Sequence, residues 1–487
     1  MTSKQDFLLI IFLTFFVLVL SYFLSYESYI IFALPFVFSV VYFGFFNFQS
    51  LFFFIAFLTP LSMSLIDLGF TNLSIGMAFP TEPILFGLLL LVVFQLIYKF
   101  SLFKRTIKHP ITTCVLLYLF WMFVTCCTSS MPLVSFKLFI SRLWYIFPIF
   151  FMGVFLFKYS NNIFKFVLAY SFSLFIVILY TIIRHSNFLF DKQSAHYMMS
   201  PFFNDHTSYG AVIAFVIPLL VSAFFVKRHK FLIRLLILSI FMIFCVGLVL
   251  SFTRAAWISL LISLICVVFI RFKVNKSMLF FTPLIGIFLF FMFQDALVQK
   301  LSSNKQDSSD NLVEHFSSLS NISTDASNME RINRWNCAFQ MFSEKPFFGW
   351  GPGTYQFNYA RFQMHKDRTI ISSNHGDMGN AHSEYLGPLA ESGFFGLFFF
   401  LIMILVILIR AVNLFYETKN QTVQIWLLGI ITSILSYFIH GLFNNFLDTD
   451  KASVPLWAVI AMIVSFELFY KNTQFPNKEQ LFQDKIS

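Results

Sequence analysis

Apolar runs long enough to cross the roughly 30 Å hydrocarbon core of a bilayer recur along the chain at about 7–24, 29–46, 50–66, 83–100, 110–128, 138–157, 163–183, 208–226, 231–250, 255–270, 277–294, 394–412, 424–441 and 453–470. Few residues separate the second from the third, and Pro60 interrupts the third, so the pattern predicts twelve to fourteen membrane-spanning helices. Only one long polar stretch breaks the series, at about 295–393. The organisation expected is an N-terminal bundle of about eleven spans (1–294), a large loop (295–393), C-terminal spans (394–470) and a polar tail (471–487).

Inside the loop, 302–328 is rich in Ser, Asn and Asp and is expected to be at most partly ordered. Ser327 followed by Glu330 has the capping-box pattern of a helix start. Met329, Ile332, Trp335, Phe339 and Phe342 then recur at helical spacing, which predicts an amphipathic helix with Arg331 and Arg334 on its other side. Pro346 ends it. Gly349, Gly351 and Gly353 follow in "GWGPGTY", which reads equally as a plain turn or as a backbone cradle for an anion, with Lys345 and the two arginines favouring the second. Asn380 is placed to cap a short helix from Ala381 to a stop at Gly393, with His382 in its first turn, where the helix dipole favours the neutral imidazole.

Composition excludes a water-soluble globular domain: of 487 residues 58% are hydrophobic and 11% charged, the mean hydropathy is +0.78, and Phe alone contributes 74. The fold class expected is an all-α integral membrane protein. The net charge of +10 comes in short clusters between apolar runs, so it signals topology and not a nucleic-acid partner. With the N-terminus inside, nineteen of the 33 Lys and Arg flank inner loops, which puts both termini in the cytoplasm and the long loop outside. The first run lacks a cleavage site and is expected to be retained. Five of six cysteines fall in spans and Cys337 in the loop, so no disulfide framework is implied.

That orientation places eight of ten histidines outside: His185, His196, His206, His315, His365, His375, His382 and His440. Arg254, in "SFTRAAW", stands at an outer turn so short that two spans meet almost without a loop. Arg142 lies about one turn inside its span; a cation at such depth is costly and usually has a partner or snorkels to the headgroups. Asn204, Asp205 and His206 open one span, and His440, Asn444 and Asn445 close another. Each alone reads as an interfacial cap, as do Glu384 and Glu391, either of which could orient His382. Their concentration at one face is what asks for chemistry.

The order "SFTRAAW", "RINRWNCAFQMFSEKPFFGWGPGTY", "NAHSEYLGPLAESG" resembles the O-antigen ligase and O-antigen polymerase superfamily of bacterial membrane proteins, over roughly 204–457. The resemblance implies a fold like the C-type membrane glycosyltransferases, with a large periplasmic loop, in the inner membrane. It implies transfer of a glycan from undecaprenyl pyrophosphate to an acceptor sugar hydroxyl such as that of lipid A core, without metal or other cofactor. His382 corresponds to the family's essential histidine, Arg254 and Arg331 or Arg334 to its pyrophosphate-binding arginines, and Arg142 more loosely. Such a transfer needs a base for the acceptor proton and fixed positive charge for the departing diphosphate. No carboxylate pair with metal-binding spacing stands in the loop. A transporter of lipid-linked oligosaccharides is the competing class; it would place its polar residues near the midplane, whereas here they gather at one face.

Overall fold

The computed structural model describes residues 14, 44, 47–67, 77–226, 230–272, 326–364 and 379–470, without the side chains of 102 and 326–328. The expected spans at 7–24, 29–46 and 277–294, most of the 302–328 stretch, and His315, His365 and His375 lie outside them. The chain divides into two compact units, 1–54 and 55–487. Apart from the helix that crosses this boundary, all that follows concerns the second.

The protein is an all-α integral membrane protein. Among the described residues ten helices are long and apolar enough to cross a membrane: Thr81–Tyr98, Pro110–Cys127, Pro132–Leu156, Ser160–Ser186, His206–Phe225, Phe231–Leu250, Arg254–Arg271, Leu386–Glu417, Gln421–His440 and Asp450–Tyr470. Each coincides with an apolar run of the sequence. The run at 50–66 forms only a shorter apolar helix, Phe48–Leu61, which ends just past Pro60 as proline chemistry requires. A two-residue antiparallel ribbon, Met63–Ser64 with Ala78–Phe79, follows it. The last span is the hub: His206–Phe225 and Asp450–Tyr470 are the most enclosed of the ten, while Phe231–Leu250 and Arg254–Arg271 turn most of their residues outward.

The polar stretch contributes the helix Ala326–Glu344, and here the amphipathic reading is corrected. The buried stripe is Glu330, Asn333, Arg334, Cys337, Ala338 and Met341, whereas Met329, Ile332, Trp335 and Phe342 are half-buried and Phe339 is exposed. The polar groups can go inside because they satisfy one another. Arg334 Nε donates to Glu330 Oε1 at 2.6 Å, its guanidinium lies 3.8 Å over the Tyr359 ring, and Asn333 Nδ2 donates to Gln363 Oε1 at 3.1 Å. Tyr355 stacks on Tyr359 and donates its hydroxyl to the Arg334 carbonyl at 2.7 Å. Gly379 passes so close that a Cβ there would lie 1.8 Å from Arg334 Nη1.

The helix expected to start at Ala381 starts at Leu386, with Ser383 Oγ accepting the Tyr385 and Leu386 amides at 3.2 and 3.4 Å. It then runs to Glu417, broken at Gly393 (φ 68°, ψ −167°), the predicted stop. Three carbonyls at the break find partners outside the helix: Ala390 in the Trp350 amide (3.1 Å), Glu391 in the Gly351 amide (2.8 Å) and Ser392 in Trp121 Nε1 (2.9 Å), while the Phe394 amide donates to the Pro346 carbonyl (2.8 Å). The "GWGPG" segment is thereby sewn onto the break. A Cβ on Gly349 would lie 2.3 Å from the Glu391 carbonyl carbon, and one on Gly393 2.2 Å from the Phe347 carbonyl oxygen.

Candidate active site

A cavity of about 680 Å³ opens at one end of the bundle, where the spans beginning at Thr81, His206, Leu386 and Asp450 have their first turns. Its wall carries seven carboxylates, Asp67, Glu82, Asp205, Glu384, Glu391, Asp448 and Asp450, and two cations, Arg142 and Lys451. Amides of Asn204, Gln356, Asn380 and Asn445 and the rings of Tyr118, Phe202, Phe203 and Tyr355 complete it.

Arg142 is not snorkelling: it is buried and its Nη2 meets Asp448 Oδ1 at 2.7 Å. Lys451 Nζ donates to Ser62 Oγ (2.7 Å) and faces Asp450 Oδ1 (3.4 Å), while Asp450 Oδ2 accepts from Ser62 and Thr81. Glu82 accepts from the Tyr145 hydroxyl. Glu384 is buried, and its Oε1 collects the Tyr437 hydroxyl (2.6 Å) and the Phe446 and Leu447 amides (2.7 and 2.9 Å); burial pushes its carboxyl above the usual range, against the nearby Arg142. Glu391 Oε1 accepts the Tyr355 amide at 3.0 Å. Glu384 and Glu391 are thus wall groups tied to the backbone of other segments, and no bond links either to His382 among the described residues.

Beside the cavity lies a second, basic cluster. His382 sits in the left-handed region (φ 47°), its amide donating to Asn380 Oδ1 at 3.0 Å, while its neighbours Ala381 and Ser383 line the cavity. It precedes the helix, so the dipole argument does not apply. What makes the imidazole neutral is burial, then Arg331 and Arg334, which together hold its pKa down at about 4 against the opposing pull of Glu330 and Asp205. Arg331 is within electrostatic range of His206, His382 and His440 alike. The His206 ring lies 4.0 Å from that of His196. His440 bonds Asn444 (3.2 Å) and stacks on Phe446. Arg254 opens its span after the three-residue turn 251–253, and Thr253 Oγ1 bolts that turn to the His206 carbonyl at 2.8 Å.

Residues 239–401 match the O-antigen ligase family. The resemblance read from the motifs is borne out over that stretch, about a third of the chain, which contains Arg254, Arg331, Arg334, Gly351, Gly353, His382, Glu384 and Glu391. Arg142, His206, His440 and Asn444 lie outside the O-antigen ligase match, and the structure is what brings them to it. No curated protein matches the chain.

The structure thus gathers His382, Arg331, His206 and His440 and sets the Arg254 turn against them. It places Arg142, Glu384, Glu391 and Gly353 in the cavity wall, and commits Arg334 to Glu330 and Tyr359. Gly351 turns on Ser129, whose Oγ a Cβ would approach to 1.9 Å. Sequence reasoning missed Glu82, Asp448 and Asp450. The signal available was "LDTDK", three charges in four residues at the mouth of an apolar run.

Proposed function

We propose that the protein is a membrane glycosyltransferase of the O-antigen ligase type, acting on a glycan carried by undecaprenyl pyrophosphate. His382 takes the proton of an acceptor sugar hydroxyl as that oxygen attacks the anomeric carbon. The bond from that carbon to the diphosphate oxygen breaks, and Arg331 and Arg254 meet the charge that builds on the leaving group. Arg334 and Arg142, already paired with carboxylates, act as positioning residues. The observation that carries this reading is His382 itself: neutral, held in a strained backbone conformation beside Arg331, with its two chain neighbours in the wall of a polar cavity. Strain of that kind persists where surrounding structure enforces it and concentrates at functional sites.

The test is a null mutant examined on a surface-glycan gel. Loss of the whole core-attached ladder is the outcome expected of a ligase. A single-repeat band would reassign the activity to a polymerase, and an unchanged ladder would overturn the transferase reading.

A further inference from the structure

The cavity and the basic cluster carry opposite charge, and they meet at residues 381–383, with Ala381 and Ser383 in the cavity wall and His382 beside Arg331. A diphosphate is drawn to the side that holds Arg331 and Arg254. What the other side would take follows from its wall. Burial weakens the charge on Glu384, but the aspartates of the wall, Asp67, Asp205, Asp448 and Asp450, still outnumber its two cations, and both cations are committed, Arg142 to Asp448 and Lys451 to Asp450. An anionic group entering there meets no uncommitted positive charge, and like charges brought together cost affinity. The wall is rich in hydrogen-bond acceptors instead. All three bonds to Glu384 end on Oε1 and those to Asp205 end on Oδ1, so a second oxygen on each has no hydrogen-bond partner among the described residues. Arg142, only 8% exposed, and Asn445 stand in the same wall, with no hydrogen-bond partner on the buried Arg142 Nε or Asn445 Oδ1 among the described residues. Hydroxyl groups donate and accept at once. Tyr118 and Phe203 add apolar faces of the sort that sugar C–H faces pack on. The volume is within the ~300–1,000 Å³ of small-molecule sites.

We propose that this cavity is a sugar subsite that accepts uncharged pyranoses and discriminates against acidic ones, with Asp448 and Asp205 as the specificity-determining carboxylates. The assignment rests on the transferase reading for its biological role, but not for its measurement. Saccharide binding to the purified protein in detergent is followed by saturation-transfer NMR, using methyl β-D-glucopyranoside and its C6 uronate, which differ only in CH₂OH against carboxylate. The uncharged glycoside should bind, and the uronate about tenfold more weakly or worse. Gln356→Trp and Ser64→Trp narrow the cavity from two walls without touching a carboxylate, and each should abolish binding while keeping a cooperative thermal transition. Equal or tighter binding of the uronate, no binding of the uncharged glycoside, or binding unaffected by both tryptophans would each overturn the proposal. A surface-glycan gel that shows no phenotype alongside a confirmed sugar preference would defeat the transferase reading and leave the subsite standing.

Discussion

His382 shows how one side chain's environment sets its chemistry. An ordinary histidine is partly protonated near neutrality; burial and the two arginines keep this one neutral down to about pH 4. A base with a lowered pKa is in its working form above that pKa. Transfer by the purified protein should therefore hold level as pH falls through 6 and 5, and decline only near 4. His382→Ala should lose roughly 10² to 10⁴ in transfer, the usual worth of a general base, and lose that acid limb with it. Arg331→Ala removes a cause of the depression, so the limb on its residual rate should move to higher pH; an unmoved limb would mean that Arg331 is not what His382 feels. Arg254 tests the other half of the chemistry. Lysine keeps its charge but not the planar fork that grips two phosphate oxygens, so Arg254→Lys should be nearly as impaired as Arg254→Ala at equal protein level. Recovery of most activity in the lysine variant would show that a point charge suffices.

At the scale of elements, the break at Gly393 links the membrane to the site. It frees three carbonyls that the "GWGPG" segment and Trp121 take up, and that stitching places Tyr355 against Glu391 in the cavity wall. The φ/ψ of Gly393 is essentially closed to other residues, at a cost of about 1–3 kcal/mol, before the clash with the Phe347 carbonyl is added. Gly393→Ala should lower the melting temperature in detergent and reduce transfer. Gly87→Ala, in mid-span with nothing within 4 Å of the new methyl, should leave both unchanged or raise stability slightly; equal damage from the two would remove any special role for the break. This stop was legible in the sequence because glycine signals it locally. The burial of the Ala326–Glu344 helix was not: periodicity ranks Trp335 and Phe339 above Glu330 and Arg334, and only the partners Tyr359, Gln363 and Gly379, all distant along the chain, make the polar stripe the inner one. Arg142 is the same case. Its depth marked it as needing a partner, but Asp448 lies at the far end of the sequence and looks like an interfacial cap.

Short connections force successive spans within 81–271 and within 386–470 to run in opposite directions, so the chain sorts its described residues between two ends. One end holds the cavity, His382 and the Arg254 turn. The other collects Lys99, Lys104, Arg105 and Lys108 after the first long span, Lys158 between the third and fourth and Lys165 near the start of the fourth, Lys230 and Arg234, Arg271, and Lys419, with Arg410 and His109 gripping Glu467 there. Positive residues flanking spans face the cytoplasm, and the ten spans found where apolar runs stood are why this division could be read from the sequence at all. The cavity end should then face the periplasm, the compartment in which a lipid-linked glycan meets a surface acceptor. A cysteine introduced at 302–328 should react with an impermeant thiol reagent in whole cells whose outer membrane is permeabilised, and one beside Lys230 should react only after the inner membrane is opened. The native cysteines, none of which forms a disulfide among the described residues, are first replaced by serine or alanine so that only the introduced thiol reports. The reverse labelling would place His382 and the arginines in the cytoplasm, where the geometry of the cavity would survive but transfer to a periplasmic acceptor would not.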